Sequence, residues 1–253
     1  HPVNRRQRQM CIRDSAEIGR PFQCAGLVNP PAMNMVNLHD TILQSVDGAL
    51  MHSPSGIMLP VGKDGRVRTH VVCRKRFDQG VVAQAMDAGA HLWLKSKPID
   101  ASVTTDGVIV KVEREGEIID LTCGLLVGAD GAHSWTRRHF RMGRPKEMMI
   151  GFQADVSGLT GKDTWLEMYT GKDFAHGFFA WVIPTGNNTH RVGMWARPQD
   201  LDGRSVEECY ESLISHDLWK KRFAGMNEIA RYCGPVPCAV SYTHLTLPTI
   251  DRV

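Results

Sequence analysis

The chain is 253 residues long, 42% hydrophobic and 23% charged. These are ordinary globular values, and the length allows a sizeable core in one large domain or two small ones. The seven cysteines are scattered, with no Cys-x-x-Cys and no His/Cys ligand spacing. That argues against a metal site such as structural zinc and against a disulfide framework, and points to a reducing cytoplasm. No apolar run is long enough to predict a membrane-spanning helix. Residues 1–15 hold four arginines and one aspartate, which accounts for the net charge of +3. The neutral remainder excludes a nucleic-acid footprint.

Residues 1–15 and 239–253 show no helical or strand period. Their words Arg-Gln-Met-Cys-Ile-Arg-Asp-Ser and Ser-Tyr-Thr-His-Leu-Thr-Leu-Pro-Thr resemble translated sequencing-adapter read-through. Both ends are expected to be artefact and disordered, and fold reasoning starts at residue 16. Residues 16–28 alternate Gly, Pro and Cys without period and read as a loop. The pattern predicts a helix over 33–45, strand-like pieces at 48–51 and 56–60, and a turn at 62–65. A strand over 67–73 leads into a helix from Arg74 to Gly89. Phe77, Val81, Ala85 and Ala88 give that helix one apolar face, and Gly89 suits its end.

A strand at 91–94 precedes a β-meander over 101–104, 107–114 and 117–122. A final strand at 124–127 runs into Gly128-Ala129-Asp130-Gly131. Both glycines lack a Cβ and tolerate positive φ, so backbone there can approach a ligand. Asp130 falls at the carboxyl end of a buried strand, where open α/β sheets bind ligands. The N–H groups of the following turn suit a phosphate. After residue 152 short aromatic-rich segments at 152–156, 164–169, 177–183 and 189–196 predict one antiparallel sheet. A helix over 205–223 is expected to cover its outer face, and 234–237 to return toward the first domain.

The segment Gly128-Ala129-Asp130-Gly131-x-x-Ser134-x-x-Arg137 resembles the second flavin motif of FAD-dependent oxidoreductases with the aromatic-hydroxylase fold. The resemblance makes Asp130 the flavin-contacting acid, Gly128 and Gly131 the residues that permit approach, and Arg137 the motif's arginine. Ile18-Gly19-x-Pro21-x-x-Cys24-Ala25-Gly26 is similar to a loop of the geranylgeranyl reductase family, in which the cysteine lies near the flavin. Cys24 is its match and the candidate catalytic residue. Arg74-x-x-Phe77-Asp78 resembles a family segment whose arginine contacts the flavin's ribose-phosphate side. Phe179-Ala180-Trp181-Val182-Ile183-Pro184 resembles the Tyr-x-Trp-x-Phe-Pro box that lines the family's lipid channel. Phe179, Trp181 and Pro184 are therefore the implied substrate-binding residues. Phe179 replaces the Tyr and Ile183 the Phe, and the lost phenol removes a hydrogen-bond donor.

The resemblance implies an α/β, mixed α+β fold. A partial Rossmann-like FAD-binding domain with the meander would take 16–30 and 67–150. An antiparallel-sheet substrate domain would take 31–66 and 151–238. It implies FAD as cofactor, with NAD(P)H or a ferredoxin as electron donor and a prenyl lipid as substrate. Such a substrate implies peripheral membrane contact for a protein that its cysteines place in the cytoplasm. The family's Gly-x-Gly-x-x-Gly turn, second-strand acid and later Gly-Asp motif have no match here, so the flavin site is expected to be incomplete and the chain inactive alone. Two other readings share the motifs: an FAD- and NAD(P)H-dependent aromatic monooxygenase, and a truncated flavoprotein domain without activity.

Overall fold

The computed structural model describes residues 10–20, 24–62, 64–145, 147–161 and 163–238. Strands β1 (Met10–Ile12) and β2 (Leu27–Val28) precede helix α1 (Pro30–Val36). Then come β3 (Ile42–Val46), β4 (Gly48–His52), β5 (Met58–Val61), β6 (Thr69–Val72) and helix α2 (Arg74–Asp87). Strand β7 (His91–Trp93) leads to β8 (Ser96–Thr104), β9 (Gly107–Arg114), β10 (Glu117–Cys123) and helix α3 (Trp135–His139). The rest is β11 (Glu147–Ser157), β12 (Trp165–Gly171), β13 (Ala175–Gly186), β14 (Thr189–Ala196), helices α4 (Val206–Ser215) and α5 (Lys220–Phe223), and β15 (Asn227–Cys238).

Local chemistry corrects several expected boundaries. The helix expected over 33–45 is the shorter α1. Asn29 caps it by accepting from the Ala32 N–H, and Asn37 ends it in the left-handed region at φ 51°. Residues 42–46 then pair as β3, where Ile42 and Val46 suit a strand. The helix expected over 205–223 is two helices, because His216 is extended. Ser205 and Glu208 close a capping box at the start of α4. In α2 the expected apolar face is not its packing face: Phe77 and Ala85 are half-buried, Val81 and Ala88 exposed. The helix instead sets Gly80 against Leu38, where a Cβ would stand 2.7 Å from that side chain.

Four sheets result. The β10-β9-β8 meander forms as expected, and β2-β6-β3 makes a second small sheet. A third pairs β1 with β7 in parallel, Met10 opposite His91. Residues 10–12, expected to be disordered, are thus ordered, because the β7 edge offers them a partner. Ile12 packs beside the Ala101, Val110 and Val112 cluster. Residues 1–9 and 239–253 lie outside the described residues. The strand expected at 124–127 does not form. Leu125 and Val127 are 74% and 72% exposed, and no described strand pairs with them.

The largest sheet has the order β15-β11-β14-β13-β12-β4-β5. It is not purely antiparallel, since β12 pairs β4 in parallel. Residues 31–66 divide: β3 joins β6, while β4 and β5 extend the large sheet. Residues 234–237 lie within β15, paired to β11, rather than returning to the first domain. On one face of this sheet alternate residues such as Ala154, Val182, Val192 and Met194 pack under Tyr210, Leu213, Trp219 and Phe223. The helical cover of that face is as expected.

That core also buries charge. Glu167 holds Arg222 at 2.6 Å and accepts the Tyr169 hydroxyl. His52 stacks on Tyr169 at 4.4 Å. Burial lowers the pKa of both His52 and His190, against the opposing pull of Glu167. An unfolded histidine takes its proton near pH 6.5. The native imidazoles stay neutral to lower pH, so the unfolded state binds more protons in that window. Stability is therefore full above about pH 7 and falls as pH drops toward about 5. Urea unfolding across that range should show the slope, and a His52→Gln, His190→Gln variant should flatten it.

Candidate functional site

Two groups of sequence-marked residues stand apart. The first surrounds Asp130. Its Oδ2 accepts from the Thr136 N–H at 2.9 Å and the Thr136 hydroxyl at 3.1 Å. Partial burial pushes the carboxyl upward, but hydrogen bonds from Ser134 and Thr136 outweigh it and hold the pKa below the ordinary value. Asp130 is ionised at neutral pH. The glycines flanking it serve different needs. At Gly128 a Cβ would lie 2.7 Å from the Thr136 Cβ, so the missing side chain makes room for Thr136. Gly131 has φ +75° and open space where its Cβ would be, so its need is conformational.

Ser134 caps α3 by accepting from the Arg137 N–H at 2.9 Å. That capping starts the short helix on which Arg137 sits. Leu125 and Val127 leave an apolar surface bare beside the turn.

The second group surrounds Cys24, whose thiol is exposed. Its Sγ accepts from the Gly26 N–H at 3.4 Å and from Arg74 Nη1 at 3.5 Å. Arg74 also pairs with Asp78 at 2.7 Å, one helical turn on. Its Nε is buried with no partner among the described residues. Residues 21–23 of the same loop motif lie outside the described residues.

The large sheet meets this group with its second face. Trp181, 7% exposed, packs with Ile183, Val46 and Val71, and with Ala25 and Phe179 at the margin. Edge-on aromatic contacts link Phe179 to Trp181 at 6.3 Å and Trp181 to Trp195 at 5.6 Å. Gly193 explains how the Trp181 ring lies flat on the sheet, since a Cβ there would come within 2.7 Å of it. The Trp181 Nε1 is buried without a partner among the described residues. Pro184 is buried but, by strand alternation, on the opposite face from Trp181. The structure thus joins Cys24 to Arg74, sets the neighbouring Ala25 against Phe179 and Trp181, and leaves Pro184 out.

Sequence reasoning missed Arg191, Asp155 and Tyr232. Arg191 is buried on β14 and donates to the Ala25 carbonyl at 2.7 Å. Asp155 stands 3.7 Å from its guanidinium. Burial raises the Asp155 carboxyl, while Arg191 and the Tyr232 hydroxyl pull it back. The available signal was a charged residue just before the apolar run Val192–Ala196 of β14.

These residues fit FAD. Asp130 is an ionised acceptor suited to ribose hydroxyls, and Arg74 and Arg137 are cations suited to its phosphates. Among the described residues no His/Cys/Asp/Glu group has the arrangement of a metal site. No described helix is long and apolar enough to cross a membrane. Because Gly128 accommodates Thr136, Gly128→Ala should cost about 1–3 kcal/mol by overpacking. Gly131→Ala should cost about 1–2 kcal/mol through its left-handed φ. Urea unfolding in a Thr136→Gly background separates them, since only the Gly128→Ala cost should shrink there.

The sequence profile of the FAD binding domain family matches residues 68–221. A digeranylgeranylglycerophospholipid reductase of Methanosphaera stadtmanae is 28% identical over 80% of this chain and 51% of its own length. The chain spans about half the length of the curated relatives it matches. Among solved structures, a geranylgeranyl bacteriochlorophyll reductase-like protein from Thermoplasma acidophilum superposes with TM-score 0.78 at 23% identity, over 89% of this chain and 59% of that one. Aklavinone-11 hydroxylase, in a complex with FAD and aklavinone, gives TM-score 0.65 at 16% identity, over 90% of this chain and 49% of that one. Both likenesses show the FAD-binding flavoprotein fold.

Proposed function

The chain belongs to the FAD binding domain family, and on that premise we propose that it serves an FAD-dependent reductase that saturates isoprenoid C=C bonds of prenyl lipids. The observation that carries this reading is the meeting of the Cys24 turn with the aromatic face of the large sheet, through Ala25 beside Trp181. Curated relatives named digeranylgeranylglycerophospholipid reductases support it.

In this reading Asp130, Gly128, Gly131, Arg137 and Arg74 hold FAD. Bound flavin supplies the two-electron reducing chemistry, drawn from NAD(P)H or a ferredoxin. Phe179 and Trp181 bind the isoprenoid and keep water from it. Their face continues as apolar side chains: Trp181 lies beside Met168, Met168 beside Met51, and Met51 beside Leu59 at the sheet edge. A hydrocarbon chain suits such a row, and methionine adapts to varied shapes. Cys24, next to Ala25, is the candidate to pass a proton to the substrate. A lipid substrate would bring the protein to a membrane surface, and the scattered cysteines suit the reducing cytoplasmic side. The FAD-binding part comprises 16–30 and 67–150, and the substrate part takes 151–238 with β4 and β5.

An aromatic monooxygenase, the second reading, needs Asp130 and Arg74 but has no use for the Cys24 turn beside the Trp181 face. The test is the full-length, FAD-loaded protein given prenyl lipids and a reductant, dithionite or NAD(P)H, with products read by mass spectrometry for two added hydrogens per double bond. Cys24→Ala should lower turnover by about 10²–10⁴-fold if the thiol moves the proton. Full activity in that variant would sink this mechanism. Ring hydroxylation with NAD(P)H consumption would establish the monooxygenase instead.

A further inference from the structure

We infer that Arg191 is a positioning residue that docks the Cys24 turn onto the large sheet and sets the charge around its thiol. The inference takes the meaning of Cys24 from the proposed function, but its geometry stands independently. Arg191 is 6% exposed, and its Nη1 donates to the Ala25 carbonyl at 2.7 Å and the Val72 carbonyl at 3.3 Å. One guanidinium thereby ties β14 to strand β6 and to the turn that leads into β2, at the residue next to Cys24.

Gly26 shows how closely the turn is fitted to this group. It has φ +75°, and a Cβ there would lie 2.5 Å from Arg191 Nη1 and 2.8 Å from the Val72 carbonyl. Any side chain at 26 would therefore evict the guanidinium. The same glycine donates its N–H to the Cys24 sulfur at 3.4 Å. Its carbonyl accepts the Val72 N–H at 2.8 Å. The chain of contact runs from Arg191, through the Ala25 and Gly26 backbone, to the sulfur. On its other side Arg191 faces Asp155 at 3.7 Å, which offsets the cost of burying its charge. An arginine fits this place because the two N–H bonds of Nη1 can serve two carbonyls while its Nε side faces Asp155.

Three readouts on the intact chain test this, and none uses turnover. Cys24 is alkylated with iodoacetate, an anion, and with iodoacetamide, which is neutral, and each rate is followed on the Cys24 peptide. Their ratio cancels the thiolate fraction and reports local positive charge. Arg191→Met should lower the ratio about twofold to threefold, as expected for losing one charge held a residue away from the thiol. Arg191→Lys should restore it. The Val72 amide should exchange about tenfold faster in Arg191→Met, as its Gly26 acceptor is released.

Cys209, fully buried, reports global unfolding through its own labelling. If Arg191→Met exposes Cys209, Gly26→Ala takes its place, since it evicts the guanidinium from the opposite side and should give the same two changes. An unchanged ratio together with unchanged Val72 exchange, in whichever variant is folded, overturns the inference. Loss of the reductase reading would leave these outcomes untouched, and their failure would leave that reading standing.

Discussion

The contact between the large sheet and the small β2-β6-β3 sheet is the constraint on which the site depends. A seven-stranded sheet has two faces, and period-two alternation assigns each residue to one of them. One face is closed by α4 and α5, which lay Tyr210, Leu213 and Phe223 on it. The other would leave Trp181 and Ile183 bare without Val46 and Val71 of the small sheet. Burying that apolar surface brings together segments far apart in the chain. It also sets the Cys24 turn beside an aromatic strand.

The two faces carry different chemistry. The helix-covered face holds Glu167, Arg222, Tyr169, His52 and His190, with Glu167 and Arg222 paired. Such buried charge contributes little net stability over an apolar core, but breaking one partner is costly. The face toward Cys24 runs apolar from Trp181 to the edge at Leu59, while Arg191 and Asp155 lie on its other flank. A dry, aromatic-walled surface suits a hydrocarbon substrate, as the proposed reductase requires.

The Asp130 turn is organised locally. Its hydrogen bonds come from Ser134 and Thr136, within one turn of chain. That explains why a short motif could mark it. The bare Leu125 and Val127 beside it show the same point from the other side: an apolar run makes a strand only where a neighbouring strand pairs with it.

The sequence by itself determined the short-range features. The meander, the strands after residue 152, the start of α2 at Arg74 and the Asp130 turn all follow from alternation, glycines and capping within a few residues. The flavin family was legible because its motifs are contiguous. Tertiary structure decided what depends on distant partners. Asn37 and the pairing of β3 with β6 shortened the helix expected from 33 to 45. The parallel pairing of β12 with β4 joined segments separated by the whole first domain. Arg191 looked like one charged residue just before an apolar run until the fold put Ala25 and Val72 at its tip. Pro184 belonged to a sequence motif, yet strand alternation turned it away from Trp181. Periodicity records which face a residue takes; only the packed sheets record what that face meets.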